Sequence, residues 1–335
     1  MSKPTFDERY AVTMFGFTNE LLEASRNPSE LVELALETGL TKNIELDGPQ
    51  YFRNYPRVSD AEVVELQELL TKYDARLSLI GGYADRAAGT HLANSEQIVA
   101  DLKTQLDLVK RLGGFGLRLQ VDAITTDEAP LVARAAEAAG VKIVFELQGS
   151  MTPTDPRTTD CLAVVAAADS PNVRLMFDAS LFMTCLPPTL KALLTGTGLS
   201  AEQIDTIEHN WLTLPFPDYR GWLIGELQAG NLPPQLNSLV PTLLSRIGHS
   251  KPADWADYTP MVESVHLKYW DTSDDGAAVS GPTSALMSQL ESAGYTGYYC
   301  SEWGGHEWHT LHELPAMQAI AWHKRLVEAC FNQAH

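Results

Sequence analysis

The sequence is short of positive charge. Lysine and arginine together number 24 against 43 acidic residues, which gives a formal net charge of −19 on 335 residues. Such a surface repels nucleic-acid phosphates and anionic lipid, so we expect neither a nucleic-acid nor a membrane partner. No apolar run approaches the roughly 20 residues that a bilayer-spanning helix needs.

Cysteine is also scarce. The four cysteines are Cys161, Cys185, Cys300 and Cys330, and none of them forms a C-x-x-C pair. This spacing excludes a zinc knuckle and speaks against a disulfide framework, so free thiols in a reducing compartment are the simplest interpretation. The first ten residues, MSKPTFDERY, lack the apolar stretch of a signal peptide. We therefore expect a cytoplasmic protein.

Short apolar runs alternate along the chain with segments of helical periodicity. Eight such runs are predicted to be strands: Tyr10–Phe15, Ile44–Leu46, Arg76–Ile80, Gly116–Val121, Lys142–Glu146, Val173–Asp178, Val265–Tyr269 and Gly297–Glu302. Short, nearly continuous apolar runs are typical of strands buried on both faces. Several intervening segments end in a glycine of the kind that stops a helix: Gly39, Gly113, Gly140 and Gly294. Eight strand–helix units predict an α/β (β/α)8 TIM barrel, and no G-x-G-x-x-G follows the first run to support a doubly wound sheet.

One connection is much longer than the others. The segment from Asp178 to Val265 exceeds an ordinary single-helix crossover by roughly fifty residues. We therefore expect a single barrel over residues 1–335 that contains a helical insertion at residues 182–260. The insertion leaves from the C-terminal end of a strand, the face where barrel active sites lie. A lid, a partner-docking surface and an elaboration without a role all fit this pattern.

Four polar side chains lie at or near the C-terminal ends of the last four predicted strands. They are Glu146 after KIVF, Asp178 after VRLMF, His266 in VHLKYW and Glu302 after GYYCS. In a barrel these ends meet at one mouth. Because buried carboxylates need compensation, a shared cation is the simplest explanation of four such residues on consecutive strands. Three carboxylates and one imidazole suit Mn²⁺, Mg²⁺ or Co²⁺ better than a structural zinc site.

The motifs around these residues resemble a known superfamily. FELQGS, MFDAS, VHLKYWD and SEWGGH, in this order, resemble the xylose-isomerase-like barrels of the sugar isomerase/epimerase superfamily, and the resemblance extends over essentially the whole chain. It implies that Glu146, Asp178, His266 and Glu302 bind a divalent metal. It also implies that a glutamate ligand moves the α-proton of a sugar whose carbonyl the metal holds.

Two departures separate the chain from the ketose epimerases of that superfamily. Leu181 stands where they usually carry a histidine, three residues after the aspartate, and the connection from Asp178 to His266 is long. The endonuclease IV branch uses many more histidine and glutamate ligands and a basic face, which the charge of −19 disfavours.

A closer resemblance is to the large (α) subunit of bacterial C-glycoside deglycosidases, which share an H-x-K-[FYW] pattern like that of His266, Lys268 and Tyr269. This resemblance implies a manganese-type site and a small β subunit in a hetero-oligomer. It also implies a C-glycoside substrate whose sugar has first been oxidised to a ketone. The carbon–carbon bond has no leaving oxygen to protonate, so two-carboxylate glycosidase chemistry fails, whereas enolisation beside a ketone allows elimination.

The catalytic candidates are Glu146, Glu302, Lys268 and His306. Lys268 shares the face of His266 and is fit to stabilise an oxyanion, although an ion pair with a ligand carboxylate explains it equally well. His306 follows the last strand and is either an acid or base or a surface residue, and His309 offers the same choice.

The substrate-binding candidates lie beside the quartet or at the ends of other strands: Gln148, Trp270, Trp303, Tyr83 and Arg118. Core packing is the alternative for the two tryptophans. Three hypotheses stay open at this point. They are a metal-dependent carbon–carbon lyase subunit, a sugar or sugar-phosphate isomerase or epimerase, and a non-catalytic binding or scaffold barrel.

Overall fold

A computed structural model describes residues 4–88, 91–308 and 314–335 of the chain. Eight strands form a closed barrel in which every neighbouring pair is parallel. They are β1 (Tyr10–Thr13), β2 (Asn43–Asp47), β3 (Arg76–Gly81), β4 (Gly116–Gln120), β5 (Lys142–Leu147), β6 (Val173–Asp178), β7 (Val262–Tyr269) and β8 (Tyr298–Trp303). The predicted (β/α)8 barrel is confirmed.

Helices surround the barrel. The main α-helices are α1 (Pro28–Glu37), α2 (Asp60–Lys72), α3 (Ser95–Arg111), α4 (Ala129–Ala139), α5 (Pro156–Ala168), α6 (Pro188–Gly196), α7 (Ala201–Thr213), α8 (Phe216–Gln228), α9 (Val240–Ser245), α10 (Ser280–Ser292) and α11 (Ala316–Ala334). Single α-helical turns and 3₁₀ segments are Phe6–Arg9, Met14–Phe17, Thr18–Leu22, Gly48–Tyr51, Ala179–Leu181, Pro234–Leu239, Pro252–Met261, Asp275–Ala277 and Gly305–Glu307. Ala87–Ala88 and His91–Leu92 form a two-stranded antiparallel ribbon.

The predicted strands and the observed ones agree to within a few residues at each end. The largest shortening is in β1, because the Thr13 hydroxyl accepts a hydrogen bond from the backbone N–H of Phe15 and turns the chain into a 3₁₀ segment. The four glycines expected to stop helices, Gly39, Gly113, Gly140 and Gly294, all have a left-handed backbone. Within the described residues, no helix is both long and apolar enough to cross a membrane.

The segment between β6 and β7 contains α6 to α9 and has an apolar cluster of its own. That cluster includes Leu190, Leu223 and Leu236 and also Trp270, which directly follows β7. Backbone hydrogen bonds join the segment to the ends of the barrel strands. The N–H of Ser150 donates to the carbonyl of Ser245 at 3.2 Å, just beyond β5.

Candidate metal centre

Four buried side chains meet at the C-terminal mouth of the barrel. Each of Glu146, Asp178, His266 and Glu302 offers one ligand atom, and these four atoms all lie within 4.8 Å of one another. The strand register explains the meeting, because Asp178 on β6 pairs directly with His266 on β7. The residues next to each of the four in its strand are buried. The four polar side chains are therefore enclosed together inside the mouth.

The His266 imidazole lies between carboxylates on both sides. Its Nδ1 is 2.7 Å from Glu146 Oε1 and 2.6 Å from Glu302 Oε2. Its Nε2 is 3.0 Å and 2.9 Å from the two carboxylate oxygens of Glu45, which is on β2. Both ring nitrogens are thus within hydrogen-bond distance of an acceptor, and Nδ1 is the one that faces the predicted ligands.

Two permanent cations flank this cluster. Arg118 donates from Nε to Glu45 at 2.9 Å and from a terminal nitrogen to Glu146 at 2.8 Å. Lys268 donates to Glu302 at 2.9 Å, and its Nζ lies 2.7 Å from a carboxylate oxygen of Glu307. Charge-assisted bonds of this length hold the side chains of the predicted ligands Glu146 and Glu302 in fixed positions.

The surrounding charges shift the pKa values of the three predicted carboxylate ligands in different directions. Burial opposes ionisation of Glu146, but Arg118 and His266 outweigh it and lower its pKa to about 2. Burial likewise opposes ionisation of Glu302, yet Lys268 and His266 hold its pKa well below the usual value. Asp178 is different, because burial and then the Glu302 carboxylate raise its pKa to about 7. Asp178 is therefore the carboxyl that gains most from a cation at this position.

Two further observations test whether the residues suit a metal ion. One carboxylate oxygen of Asp178, Oδ2, is buried and has no hydrogen-bond partner among the described residues, whereas Oδ1 accepts from the N–H of Ser180 at 2.7 Å. The charges point the same way. The buried carboxylates Glu45, Glu146, Asp178 and Glu302 outnumber the two permanent cations beside them, Arg118 and Lys268. The site has an excess of negative charge when the carboxylates are ionised, so the donor set fits a divalent cation.

Three predicted residues contact the quartet directly. Lys268 forms the ion pair with Glu302 that the sequence left as an alternative. Arg118, a substrate-binding candidate of the sequence, is almost fully buried and pairs with site carboxylates. Gln148 lies at the edge of the cluster, where its amide donates to Gln120 at 3.0 Å and to Glu146 at 3.4 Å.

The other predicted residues lie further from the quartet. Trp270 and Trp303 are almost completely buried, and their rings pack on Trp308 and Tyr269 respectively, which favours core packing. His306 follows β8 and packs edge-on against Phe15 with 4.6 Å between the ring centroids.

Tyr83 follows β3 and is partly exposed, with its ring against Tyr55. His309 lies outside the described residues.

Sequence reasoning missed two acidic residues of the site. Glu45 is fully buried inside NIELD, and a charged residue between two apolar ones in a short strand was the available signal. Glu307 lies in the loop after β8, where it accepts a hydrogen bond from Trp270 Nε1 at 3.0 Å as well as pairing with Lys268. Nothing in GGHEWH distinguishes Glu307 from an ordinary solvent-facing acid.

Comparison with solved structures defines the class of barrel. The structure of the IolI protein with a bound zinc atom is similar with a TM-score of 0.59 and 13% identity, covering 98% of this chain and 99% of that one. The 3-keto-D-glucoside 4-epimerase YcjR of E. coli is similar with a TM-score of 0.52 and 13% identity, covering 95% and 98%. The chain therefore shares its fold with barrels that include sugar isomerases and epimerases.

Curated proteins give a more particular likeness. The chain is 24% identical to the 3'-dehydrocarminate deglycosidase alpha subunit of Microbacterium sp over 339 residues, which is 97% of this chain and 96% of the relative. It is 25% identical to a C-glycoside deglycosidase alpha subunit of Arthrobacter globiformis over 330 residues, or 96% and 92%. No protein-family model matches the chain. The predicted resemblance to C-glycoside deglycosidase alpha subunits is confirmed, and the chain is an enzyme.

Proposed function

We propose that this chain is the catalytic subunit of a metal-dependent carbon–carbon lyase that cleaves a 3-keto C-glycoside. The observation that carries the proposal is the set of four ligand atoms within 4.8 Å at the barrel mouth. It occurs in a chain that is similar along nearly its whole length to deglycosidase alpha subunits. The proposed cytoplasmic location rests on the sequence alone.

Glu146, Asp178, His266 and Glu302 would hold the ion, with Mn²⁺ as the first choice and Mg²⁺ or Co²⁺ as alternatives. Three hard oxygen donors and one imidazole favour such ions, although the similar IolI structure is described with zinc. Bound there, a divalent ion supplies Lewis acidity that stabilises the enolate of a keto sugar.

The reaction balances as a proton transfer followed by an elimination. The ketone at the third carbon of the sugar acidifies the hydrogen on the second carbon, and a carboxylate accepts that proton. The bond between the first carbon and the aglycone then breaks, and its electron pair goes to the aglycone carbon, which takes a proton from an acid. A double bond remains between the first and second sugar carbons, and no oxidant is consumed.

The chain offers two carboxylates for the first proton transfer. Glu146 and Glu302 are both ionised near neutral pH, because neighbouring cations lower their pKa values. Both also lie beside His266 at the centre of the cluster. Either is therefore fit to accept the proton, and separate Glu→Gln variants at the two positions distinguish them.

We propose that Lys268 stabilises the negative charge of the enolate and that His306 supplies the proton that the aglycone carbon takes up. Burial alone would lower the pKa of Lys268, but Glu302 and Glu307 raise it, so its ammonium stays charged and ready to donate to an oxyanion. Burial lowers the pKa of His306, and its buried Nδ1 has no hydrogen-bond partner among the described residues. A neutral imidazole suits a proton carrier between base and acid.

Substrate contacts are proposed for Gln148, Arg118 and Tyr83 at the mouth and its rim, and a supporting role for Trp270 and Trp303. Tyr83 is the most exposed ring among them, whereas the tryptophans act through packing of the wall. A small β subunit in a hetero-oligomer is proposed because the relatives are named alpha subunits.

The direct experiment uses the purified chain with any small subunit that co-purifies. It is incubated with 3'-dehydrocarminate, the compound in a relative's name, and products are separated by chromatography. We expect released aglycone, at least 10³-fold less in Glu146→Gln, and an unchanged rate in the exposed control Glu96→Gln. Absence of release from every 3-keto C-glycoside tried would refute the proposal.

A sugar isomerase or epimerase is the second candidate, because the same metal and base serve an enolisation without bond cleavage. The similar fold of a 3-keto-D-glucoside 4-epimerase favours it. The fully buried Leu181, at the position of the usual epimerase histidine, disfavours a ketose epimerase. A changed sugar without free aglycone would support this candidate. A non-catalytic scaffold is disfavoured by the complete ligand quartet.

A further inference from the structure

We infer that Glu45 is a positioning residue of the metal centre, which keeps a proton on Nε2 of His266 so that Nδ1 presents its lone pair to the ion. The inference rests on the proposed metal site and adds a residue to it. It assigns different tasks to the two nitrogens of one imidazole.

Carboxylates face both nitrogens of His266. Both oxygens of Glu45 lie within 3.0 Å of Nε2, and Nδ1 points at Glu146 and Glu302, whose carboxylates belong to the proposed ligand set. An ionised carboxylate only accepts hydrogen bonds, so without a metal each nitrogen would carry a proton. An ion held by Glu146 and Glu302 would replace the proton on Nδ1, whereas Glu45 would keep the proton on Nε2. A histidine ligand binds a metal as a neutral imidazole through one nitrogen, and the bond made by the other selects which one.

Glu45 is itself held in place. It is fully buried on β2, on the far side of His266 from the ligand carboxylates, and Arg118 donates to its Oε1 from Nε at 2.9 Å. Arg118 also donates to Glu146, so one guanidinium fixes the positions of both Glu45 and the predicted ligand Glu146. The orientation of His266 is thus coupled to that of Glu146.

A second cation behind His266 is the competing explanation, since Glu45, His266 and Cys300 also have candidate ligand atoms within 4.8 Å of one another. The Arg118 guanidinium bonds directly to Glu45 and places a permanent positive charge beside that position. An ion there would face this charge at hydrogen-bond range without the excess of carboxylates found on the other side. The contacts therefore favour a proton, and not a metal, on Nε2.

The test compares Glu45→Gln with Asp47→Asn. Both remove a carboxylate near Arg118, but Asp47 lies 3.7 Å from Arg118 and, in the part of the chain that the structure describes, forms no hydrogen bond or ion pair with His266. An amide offers a donor as well as an acceptor, so in Glu45→Gln the tautomer is no longer imposed. After chelator treatment, each protein is titrated with Mn²⁺. We expect about 10- to 100-fold weaker binding in Glu45→Gln and less than about 3-fold in Asp47→Asn.

A second measurement uses the wild-type protein and does not depend on the folding of Glu45→Gln. Nitrogen-15 NMR of histidine-labelled protein loaded with Mg²⁺ reports which nitrogen of His266 carries the proton, with His266→Gln to identify the signal. A proton on Nδ1, or equal Mn²⁺ affinity in wild type and a folded Glu45→Gln, would overturn the positioning role alone. A wild-type protein that binds no divalent ion would overturn the metal centre as well.

Discussion

Gly149 joins the end of β5 to the segment between β6 and β7, and replacing it with alanine should weaken both the fold and the metal centre. Its φ of +62° is left-handed, and a Cβ there would lie well inside contact distance of the Ser245 carbonyl oxygen. The N–H of Gly149 donates to Ser180 Oγ at 2.8 Å, and the N–H of Ser180 donates to Asp178 at 2.7 Å. A shift at Gly149 therefore reaches a predicted ligand through two hydrogen bonds.

The size of the effect has two parts. Holding alanine in a left-handed conformation costs about 1–2 kcal/mol relative to glycine. Forcing the Ser245 backbone away adds about 1–3 kcal/mol, the usual cost of overpacking. For a chain of this length each kcal/mol lowers Tm by about 2 °C, so Gly149→Ala should lower Tm by about 4–10 °C. Displacement of Asp178 should also weaken Mn²⁺ binding by roughly tenfold.

Gly140→Ala is the matched control. Gly140 has a similar φ of +69° at the end of α4, but a Cβ there meets no atom within 4 Å. It should show only the conformational cost, a Tm lower by about 2–4 °C, with unchanged Mn²⁺ affinity. Calorimetry and metal titration of the two variants measure the difference. Equal Tm values, or equal metal affinities, would refute the reasoning about the Gly149 contact.

Three further substitutions probe the buried charges. Arg118→Met removes the permanent cation that two buried carboxylates share and should cost about 3–5 kcal/mol in denaturant unfolding, far more than the exposed control Lys42→Met; a similar loss in both would contradict this. Lys268→Met should reduce kcat about 10²- to 10³-fold at unchanged metal content, and loss of the metal instead would assign Lys268 to holding Glu302. Burial lowers the pKa of His323 to about 3. Below about pH 6.5 this histidine is protonated in the unfolded chain but not in the folded one, so the free energy of unfolding decreases as the pH is lowered. At pH 5 this loss is about 2 kcal/mol relative to pH 8, and His323→Phe should lack it; parallel pH profiles would count against the assignment.

The barrel was predictable because its signals are local. Apolar runs such as KIVFE and VRLMF read as buried strands, and glycine after a periodic segment marks the end of a helix. The proximity of the four predicted ligands followed from the rule that the C-terminal ends of barrel strands share one mouth. That rule places Glu146, Asp178, His266 and Glu302 together without any knowledge of their side-chain contacts.

The partners of the quartet were not predictable in the same way. Arg118 bonds Glu45 across 73 positions of sequence, and neither residue carries a local mark of that pairing. The two tryptophans after β7 and at the end of β8 looked like ring-binding surfaces, yet their packing on Trp308 and Tyr269 depends on how loops cover the mouth. Such contacts arise from three-dimensional packing, which periodicity and motif spacing do not encode.

The central claim is that a divalent ion at the quartet supports cleavage of a 3-keto C-glycoside. It is tested most directly by measuring the rate of aglycone release as metal-free protein is titrated with Mn²⁺. The account predicts a rate that rises in proportion to bound metal, reaches its plateau near one ion per chain, and stays at background in His266→Ala. A rate that is independent of metal occupancy, or that His266→Ala retains in full, would contradict it.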